Sequence, residues 1–515
     1  MHRDLSKASD VLFRESCMVA SQLIIFQEFP KDWSACAGGI ATATRLSCAG
    51  YRVHVLEKND YIGGRCSLLF KDGHRFDQGP SLMLMPELFR HAFDDLGTSM
   101  EQEDGNSVKL SRDLTSLKAH IEQHEGPGGF SRFCAFLSEA GFHVLSMFHF
   151  SLVKAMLHIR PWTSTYTNAS KYFRSEKMRQ VWTFASMYVG MSPYKSPGTY
   201  SFLPFIEMRD GIWYPMGGFE KILQALADIG RRSGAEYHLK SPVSRVQLSD
   251  QGNAATGVRL ASGEVLRADL VVVNADLVYA YSHLLPPSQY GRRLQLRSTS
   301  CSSLSFFWGF SEAIPELQPY NVFLAERYRE SFDALFDENR TSDDFSFYVN
   351  VPSRIDSTAA PDGKESVMVL VPVAHLENEG HSERVSWESL VAHIRYIVIK
   401  TIEARTGAFD LQSKLKEKFN LDRGAILGLS HSFSNALWFC PQIEHQSIKN
   451  LYFVGCNTHP GAGVPSALVS GKLVSEQILR NEMSQRERVV HRGRRLSFIT
   501  SFFVLVTACF LLGLS

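Results

Sequence analysis

The 515-residue sequence predicts an α/β fold whose parallel sheet is entered three times from distant parts of the chain. Three stretches predict it. Ile40 to Ala49 reads as a helix stopped by a glycine C-cap at Gly50, and Arg52 to Glu57, RVHVLE, alternates as a strand ending in a carboxylate. Leu270-Val271-Val272-Val273-Asn274-Ala275-Asp276 begins as the continuous apolar run that a strand buried on both faces requires. Leu451-Tyr452-Phe453-Val454-Gly455 is followed by the turn CNTHPGAG and a helix from near Pro465 to Leu479, so backbone amides and a positive helix end point into that turn.

The first stretch is the second half of a βαβ unit. In a Rossmann-like dinucleotide-binding fold, an acidic residue closing the second strand accepts hydrogen bonds from the adenosine ribose hydroxyls, about 20 residues after a glycine turn. Glu57 stands at that distance. The turn itself departs from G-x-G-x-x-G: Ser34 and Cys36 occupy the first two glycine positions, and only Gly38-Gly39 remains. A side chain at 36 is expected to crowd a pyrophosphate and weaken cofactor binding, as in a decayed copy or a mis-assembled gene model. Upstream, Phe29-Pro30-Lys31-Asp32-Trp33 stands where an apolar strand should run into the turn, and proline does not sit in a central parallel strand. Either Ser21 to Phe29 supplies a displaced first strand or the chain lacks a proper one.

A second glycine cluster, Tyr61-Ile62-Gly63-Gly64-Arg65, follows Glu57 closely. Its amides and the guanidinium fork suit pyrophosphate or flavin-edge oxygens. Phe76-Asp77-Gln78-Gly79-Pro80 is a further turn where backbone can meet a flat ring. A helix is expected from Gly218 to Ser233, with Phe219, Ile222, Leu223, Leu226 and Ile229 on its core face. Strands at Glu236 to Leu239 and Val243 to Leu248 follow, then a hairpin pairing Gly257 to Leu260 with Glu264 to Leu266.

Composition excludes several classes. The chain is 44% hydrophobic and 21% charged with a net charge of +1, which offers no field for nucleic acid, and no repeat or low-complexity tract is present. The nine cysteines are scattered singly, which fits reduced thiols. His143, His149 and His158 lack the i, i+4 spacing of a metal-binding helix, and no metal is expected. Phe142 to Ile159 is apolar nearly all round, which suits a buried helix or a face that dips into a membrane to admit a lipid-soluble substrate. Leu496 to Leu514 carries no charge and would cover about 28 Å as a helix, with five arginines just before it. These features predict a C-terminal membrane anchor in contact with lipid, with the body on the cytosolic face of the endoplasmic reticulum or another endomembrane, a core or interfacial helix being the alternative.

VHVLEKNDYIGGRC, GHRFDQGPSL, GIWYPMGGFEKIL, ADLVVVNADLVYAY and NLYFVGCNTHPGAGVPSALVSGK together resemble the phytoene desaturase family, especially its fungal members, across about residues 37 to 480. The resemblance implies an amine-oxidase-like, two-domain flavoprotein: a Rossmann-like FAD-binding domain, a mixed α+β substrate domain and a C-terminal hydrophobic helix. It implies FAD rather than NAD(P), and desaturation of phytoene, a C40 isoprenoid hydrocarbon, toward lycopene-type carotenoids. Where the residues alone are considered, a non-catalytic relative or a flavoprotein acting on an amine or retinoid stays open.

The expected division is an atypical segment over 1–33, FAD-binding parts over 34–94, 216–299 and 436–482, substrate parts over 95–215 and 300–435, and a basic linker with anchor over 483–515. The expected cofactor-binding residues are Gly38, Gly39, Glu57, Gly63, Gly64, Arg65, Gly79, Pro80, Val246, Gly455, His459, Pro460, Gly461, Gly463, Val464 and Pro465. His459 reads equally as a turn histidine bonded to backbone, and no catalytic acid or base is nominated.

Overall fold

The computed structural model describes residues 22–27, 37–103, 107–110, 114–149, 162–297, 300–374, 387–408, 415–425, 440–461 and 463–486. Its centre is a five-stranded parallel sheet made of β1 (Gln22–Gln27), β2 (Arg52–Glu57), β3 (Glu236–His238), β4 (Leu270–Val273) and β5 (Leu451–Phe453), in the spatial order β5-β4-β1-β2-β3. The displaced first strand exists. β1 lies between its neighbours, pairing Gln22 with Arg52 through Gln27 with Glu57 on one side and Leu23 with Leu270 through Phe26 with Val273 on the other. It comes from within the segment set apart as atypical, while Ser34 and Cys36 lie outside the described residues.

Helix α1 (Ala37–Cys48) carries the chain from β1 to β2 and is built of small residues, nearly all buried. Their size lets two further helices approach closely. From α2 (Glu220–Arg232), Leu226 O accepts the Thr44 hydroxyl at 2.8 Å. Against α3 (Val464–Arg486), a Cβ on Gly471 would lie 2.8 Å from Ala41 Cβ and from Gly38 O, so only a glycine permits this crossing. The expected apolar face of α2 is buried at Ile222, Leu223, Leu226 and Ile229. β4 is buried along its whole length, as its unbroken valine run requires.

A three-stranded antiparallel sheet of Val243–Leu248, Ala255–Leu260 and Val265–Arg267 follows β3. Farther along, Ser302–Phe310, Tyr320–Phe323, Phe347–Asn350, Glu365–Val373 and Leu415–Ala425 form a five-stranded antiparallel sheet. Leu304, Phe306, Trp308 and Phe310 alternate onto one face of it. The helix Trp387–Thr406 covers that face with Val391, Ile394, Val398 and Ile402, a stripe at helical spacing. The hairpin of Leu68–Lys71 and His74–Asp77 meets the antiparallel sheet through His74 and Phe76: His74 Nδ1 is 2.9 Å from Ser366 Oγ, and the Phe76 and Phe307 rings meet edge-on at 5.6 Å.

Between β2 and α2 the chain is mostly helical, with two short antiparallel pairs, Leu68–Lys71 with His74–Asp77 and Ser107–Leu110 with Ile212–Pro215. Phe133, Phe136, Phe173 and Trp182 make an aromatic core there. The helix Gly129–His149 includes the first part of the apolar stretch expected over 142–159, and the remainder falls outside the described residues. The membrane anchor requires correction. Among the described residues no helix is long and apolar enough to cross a membrane, residues 496–514 lie outside them, and the expected membrane localisation is withdrawn because no observed element carries it.

Candidate functional site

The carboxyl ends of parallel strands are where open α/β sheets bind ligands. At this edge β2 ends in Glu57, a fully buried carboxylate. Its Oε1 accepts the Asn59 amide at 2.9 Å, whereas Oε2 is buried with no hydrogen-bond partner among the described residues. Burial pushes this carboxyl up to about 7, and the Asn59 amide only partly offsets it. A buried acceptor left open at a strand end is a position prepared for an outside donor. The loop beyond is pinned, since Ser241 N donates to Glu57 O and Lys240 N to Asn59 O, both at 2.9 Å.

The ends of β4 and β5 and the start of α1 are sewn together by Asn274, which follows β4 directly. Its Oδ1 accepts the Gly39 amide at 2.9 Å and its Nδ2 donates to Val454 O at 2.9 Å, joining the start of α1 to the end of β5. A Cβ at Gly455 would lie 2.7 Å from that Nδ2, and Gly455 has φ +116, so both space and backbone demand glycine there. Asn274 is absent from the residues expected to matter. Its signal is a lone amide closing an apolar strand where burial leaves no room for an unpaired polar group. Two residues on, Asp276 accepts the Tyr279 amide at 2.9 Å and the Asn457 side chain at 2.7 Å. Burial pushes the Asp276 carboxyl up, while the nearby Arg65 charge draws it down.

Ile62 and Cys66, which flank the second glycine cluster, pack in one core cluster with Ala37 and Ile40 at the start of α1. Gly63 and Gly64 are buried at φ +105 and +54, and their carbonyls accept the Cys66 and Ser67 amides at 2.9 and 3.0 Å. Gly79 lies across this loop: a Cβ there would stand 2.5 Å from Arg65 O. Gly38, Gly39 and Gly455 thus meet at the ends of β4 and β5, Gly63, Gly64, Arg65 and Gly79 share one loop, and Glu57 closes β2 at the same end of the sheet. Pro80 is half-buried beside Gly79.

The rest of the turn after β5 varies in exposure. The bond from His459 to Pro460 is cis, Gly461 is buried, Gly463 is exposed, and Val464 and Pro465 open α3 half-buried. Burial lowers the His459 pKa, which favours a neutral imidazole. Val246 stands apart, on an edge strand of the three-stranded sheet, with its side chain packed in a core cluster that includes Leu56 and Val273. The side chains of His143 and His149 and the whole of His158 lie outside what is described.

Facing this edge, two carboxylates hold the turn of WYPMGGF. Asp77 accepts the Tyr214 hydroxyl at 2.5 Å and the Phe219 amide at 2.8 Å. Asp356 accepts the Gly217 amide at 2.7 Å and Arg75 Nη2 at 2.5 Å. Nearby, Ser81 meets the antiparallel sheet: its hydroxyl lies 3.0 Å from Tyr348 Oη, and its carbonyl accepts Tyr320 Oη at 3.1 Å. Burial raises the Tyr188 pKa, and the neighbouring Glu207 adds to that rise.

These residues fit a dinucleotide. Glu57 Oε2 is an open acceptor suited to ribose hydroxyls, the glycines remove Cβ atoms where turns converge, and α3 opens beside them.

The family model for flavin containing amine oxidoreductases matches residues 37–479. A phytoene desaturase of Fusarium fujikuroi is 45% identical, with 86% of this chain and 88% of that protein covered. One of Neurospora crassa is also 45% identical, covering 88% of this chain and 85% of that protein. Among solved structures, an oxidoreductase from Methanosarcina mazei superposes with a TM-score of 0.60 at 15% identity, over 88% of this chain and 100% of that one, and supports the fold alone. The strand ends, the family model and the relatives agree: this chain is an FAD-binding member of the flavin containing amine oxidoreductase family, within its phytoene desaturase branch.

Proposed function

We propose that the chain is an FAD-dependent phytoene desaturase that introduces double bonds into a C40 hydrocarbon in carotenoid biosynthesis. The carrying observation is the open, buried Oε2 of Glu57 at the parallel-sheet edge, in a chain 45% identical to fungal phytoene desaturases over 86% of its length. Phytoene offers no acidic hydrogen and no polar handle, so acid, base or nucleophile chemistry alone has nothing to act on. FAD, when bound, supplies the acceptor for a hydride.

The chain's own residues bind and orient. Glu57 would hold the adenosine ribose, the Gly38 amide and the Gly63-Gly64-Arg65 loop would take pyrophosphate oxygens while Gly39 keeps its amide on Asn274, and the turn Gly455 to Pro465 would lie along the ring. Gly79 and Pro80 would close the other side, with Val246 reached through its backbone. Residues 34–94, 216–299 and 436–482 form the cofactor side, joined by the strand Gln22–Gln27. Residues 95–215 and 300–435 form the substrate side, with the Ser81, Tyr320 and Tyr348 junction between the two. Glu207, beside Tyr188, is the carboxylate of that junction suited to take up the proton lost from the carbon next to the hydride donor.

Expression of the full chain in a phytoene-producing host tests this reading. The expected result is a yellow purified protein carrying FAD, and coloured polyenes in the cells. A flavin-loaded protein that leaves phytoene unchanged would overturn the substrate assignment, and a colourless folded protein would overturn the cofactor site.

A further inference from the structure

We propose that His54, Glu236 and His238 form a binding site for a divalent transition-metal ion, zinc by preference, which cross-braces the parallel sheet at β3. The desaturase reading neither needs such a site nor is needed by it.

Register brings the three residues together. β2 and β3 pair in parallel with His54 opposite Glu236 and Leu56 opposite His238. Side chains alternate along a strand, so 236 and 238 share a face, and His54 projects beside both. His54 and His238 are 184 positions apart, which is why local spacing gives no hint of a site and none is expected from the sequence.

The donor atoms already stand at coordination distances. His54 Nδ1 is 3.2 Å from His238 Nε2 and 3.4 Å from Glu236 Oε2, and His238 Nε2 is 3.5 Å from the same oxygen. Zinc bonds of about 2.0–2.1 Å in a tetrahedron put neighbouring donors about 3.3–3.4 Å apart, so the triangle matches one face of such a site. Two imidazoles and one carboxylate are a recurrent zinc donor set, and the exposure of Glu236 leaves the fourth position to water.

Without an ion the facing nitrogens share a single N–H···N hydrogen bond. The two rings stack at 5.4 Å between centroids, and one proton at most can bridge the facing nitrogens, so the other ring contributes only a lone pair.

His54 and Glu57 lie on opposite faces of β2 by alternation, so an ion here would leave the ribose acceptor untouched while joining β2 to the sheet's outer strand. Its role is mechanical.

The test uses the full chain stripped with chelator and titrated with Zn²⁺ against a chromophoric competitor, in parallel with Co²⁺ monitored by absorbance. The expected result is one tight equivalent, a Co²⁺ spectrum of nitrogen and oxygen ligation, and a rise in thermal midpoint on adding Zn²⁺. His54→Ala and His238→Ala should each lower the affinity about 100-fold or more and abolish the thermal shift, with flavin content unchanged. Glu236→Gln should have a smaller effect. A sulfur-to-cobalt charge-transfer band, which would place the ion on a cysteine, would overturn the proposal. So would a tight site indifferent to both histidine variants, or no stoichiometric binding.

Discussion

Glu57 and Asp356 are both buried carboxylates, one at the edge of the parallel sheet and the other under the antiparallel sheet, yet their surroundings are opposite. Asp356 accepts from the Gly217 amide, from Arg75, and from both the amide and hydroxyl of Thr358. Burial alone would raise its pKa, but these donors outweigh burial and hold it below the ordinary carboxylate value. Glu57 has an oxygen with no partner among the described residues, and burial pushes it up to about 7 although Asn59 and Lys58 draw it down. A satisfied carboxylate reads as a brace. An unsatisfied one, aimed at the strand ends, reads as half of a contact that a ligand completes.

The contrast breaks most easily at the brace. Asp356→Ala leaves Arg75 buried beside an empty space, and should cost about 3–5 kcal/mol of stability, measured as the shift in a denaturant midpoint. Asn274→Ala removes the partner of the Gly39 amide and of the Val454 carbonyl, and should cost about 1–3 kcal/mol while loosening FAD. Equal stability of wild type and Asn274→Ala would show that the strand ends are not joined as described.

The smallest effect is in pH, where the two carboxylates should slope in opposite directions. The folded-state pKa of Glu57 is raised above its unfolded value near 4.5, so its contribution to stability of the FAD-free protein is fully present below that value and is lost as pH rises through about 7. Asp356 is depressed, so its contribution is present above 3.8 and is lost as pH falls below it. Ribose hydroxyls favour the ionised form of Glu57, and FAD affinity should therefore rise between pH 6 and pH 8. Glu57→Gln should flatten that rise in a fluorescence titration.

Much of the parallel sheet was legible because its signals are local. The strand Arg52–Glu57 ends where its alternation ends, Gly50 stops the helix before it at φ +90, and the valines of β4 predict burial on both faces. β1 was half-legible, because Phe29-Pro30 masks the end of an apolar run that a neighbour on each side nevertheless pairs. Asn274 was hidden because its importance lies in two partners from distant segments. The antiparallel sheet was hidden for the same reason: Ser302–Phe310 declares a strand, but its partners at 365–373 and 415–425 are fixed only by packing. The hydrophobic tail shows the opposite error, in which composition suggested a membrane anchor that no described element supports.

The flavin-to-protein ratio of wild type and Glu57→Ala, purified side by side from the same host, tests the central claim most directly. Loss of one charge-assisted contact of about 1.5–3 kcal/mol corresponds to about a 10- to 100-fold weaker FAD site. The wild type should therefore retain close to one FAD per chain through dilution, and the variant should lose most of it while staying folded. Equal flavin content in the two proteins would contradict the claim that the open oxygen of Glu57 holds the cofactor.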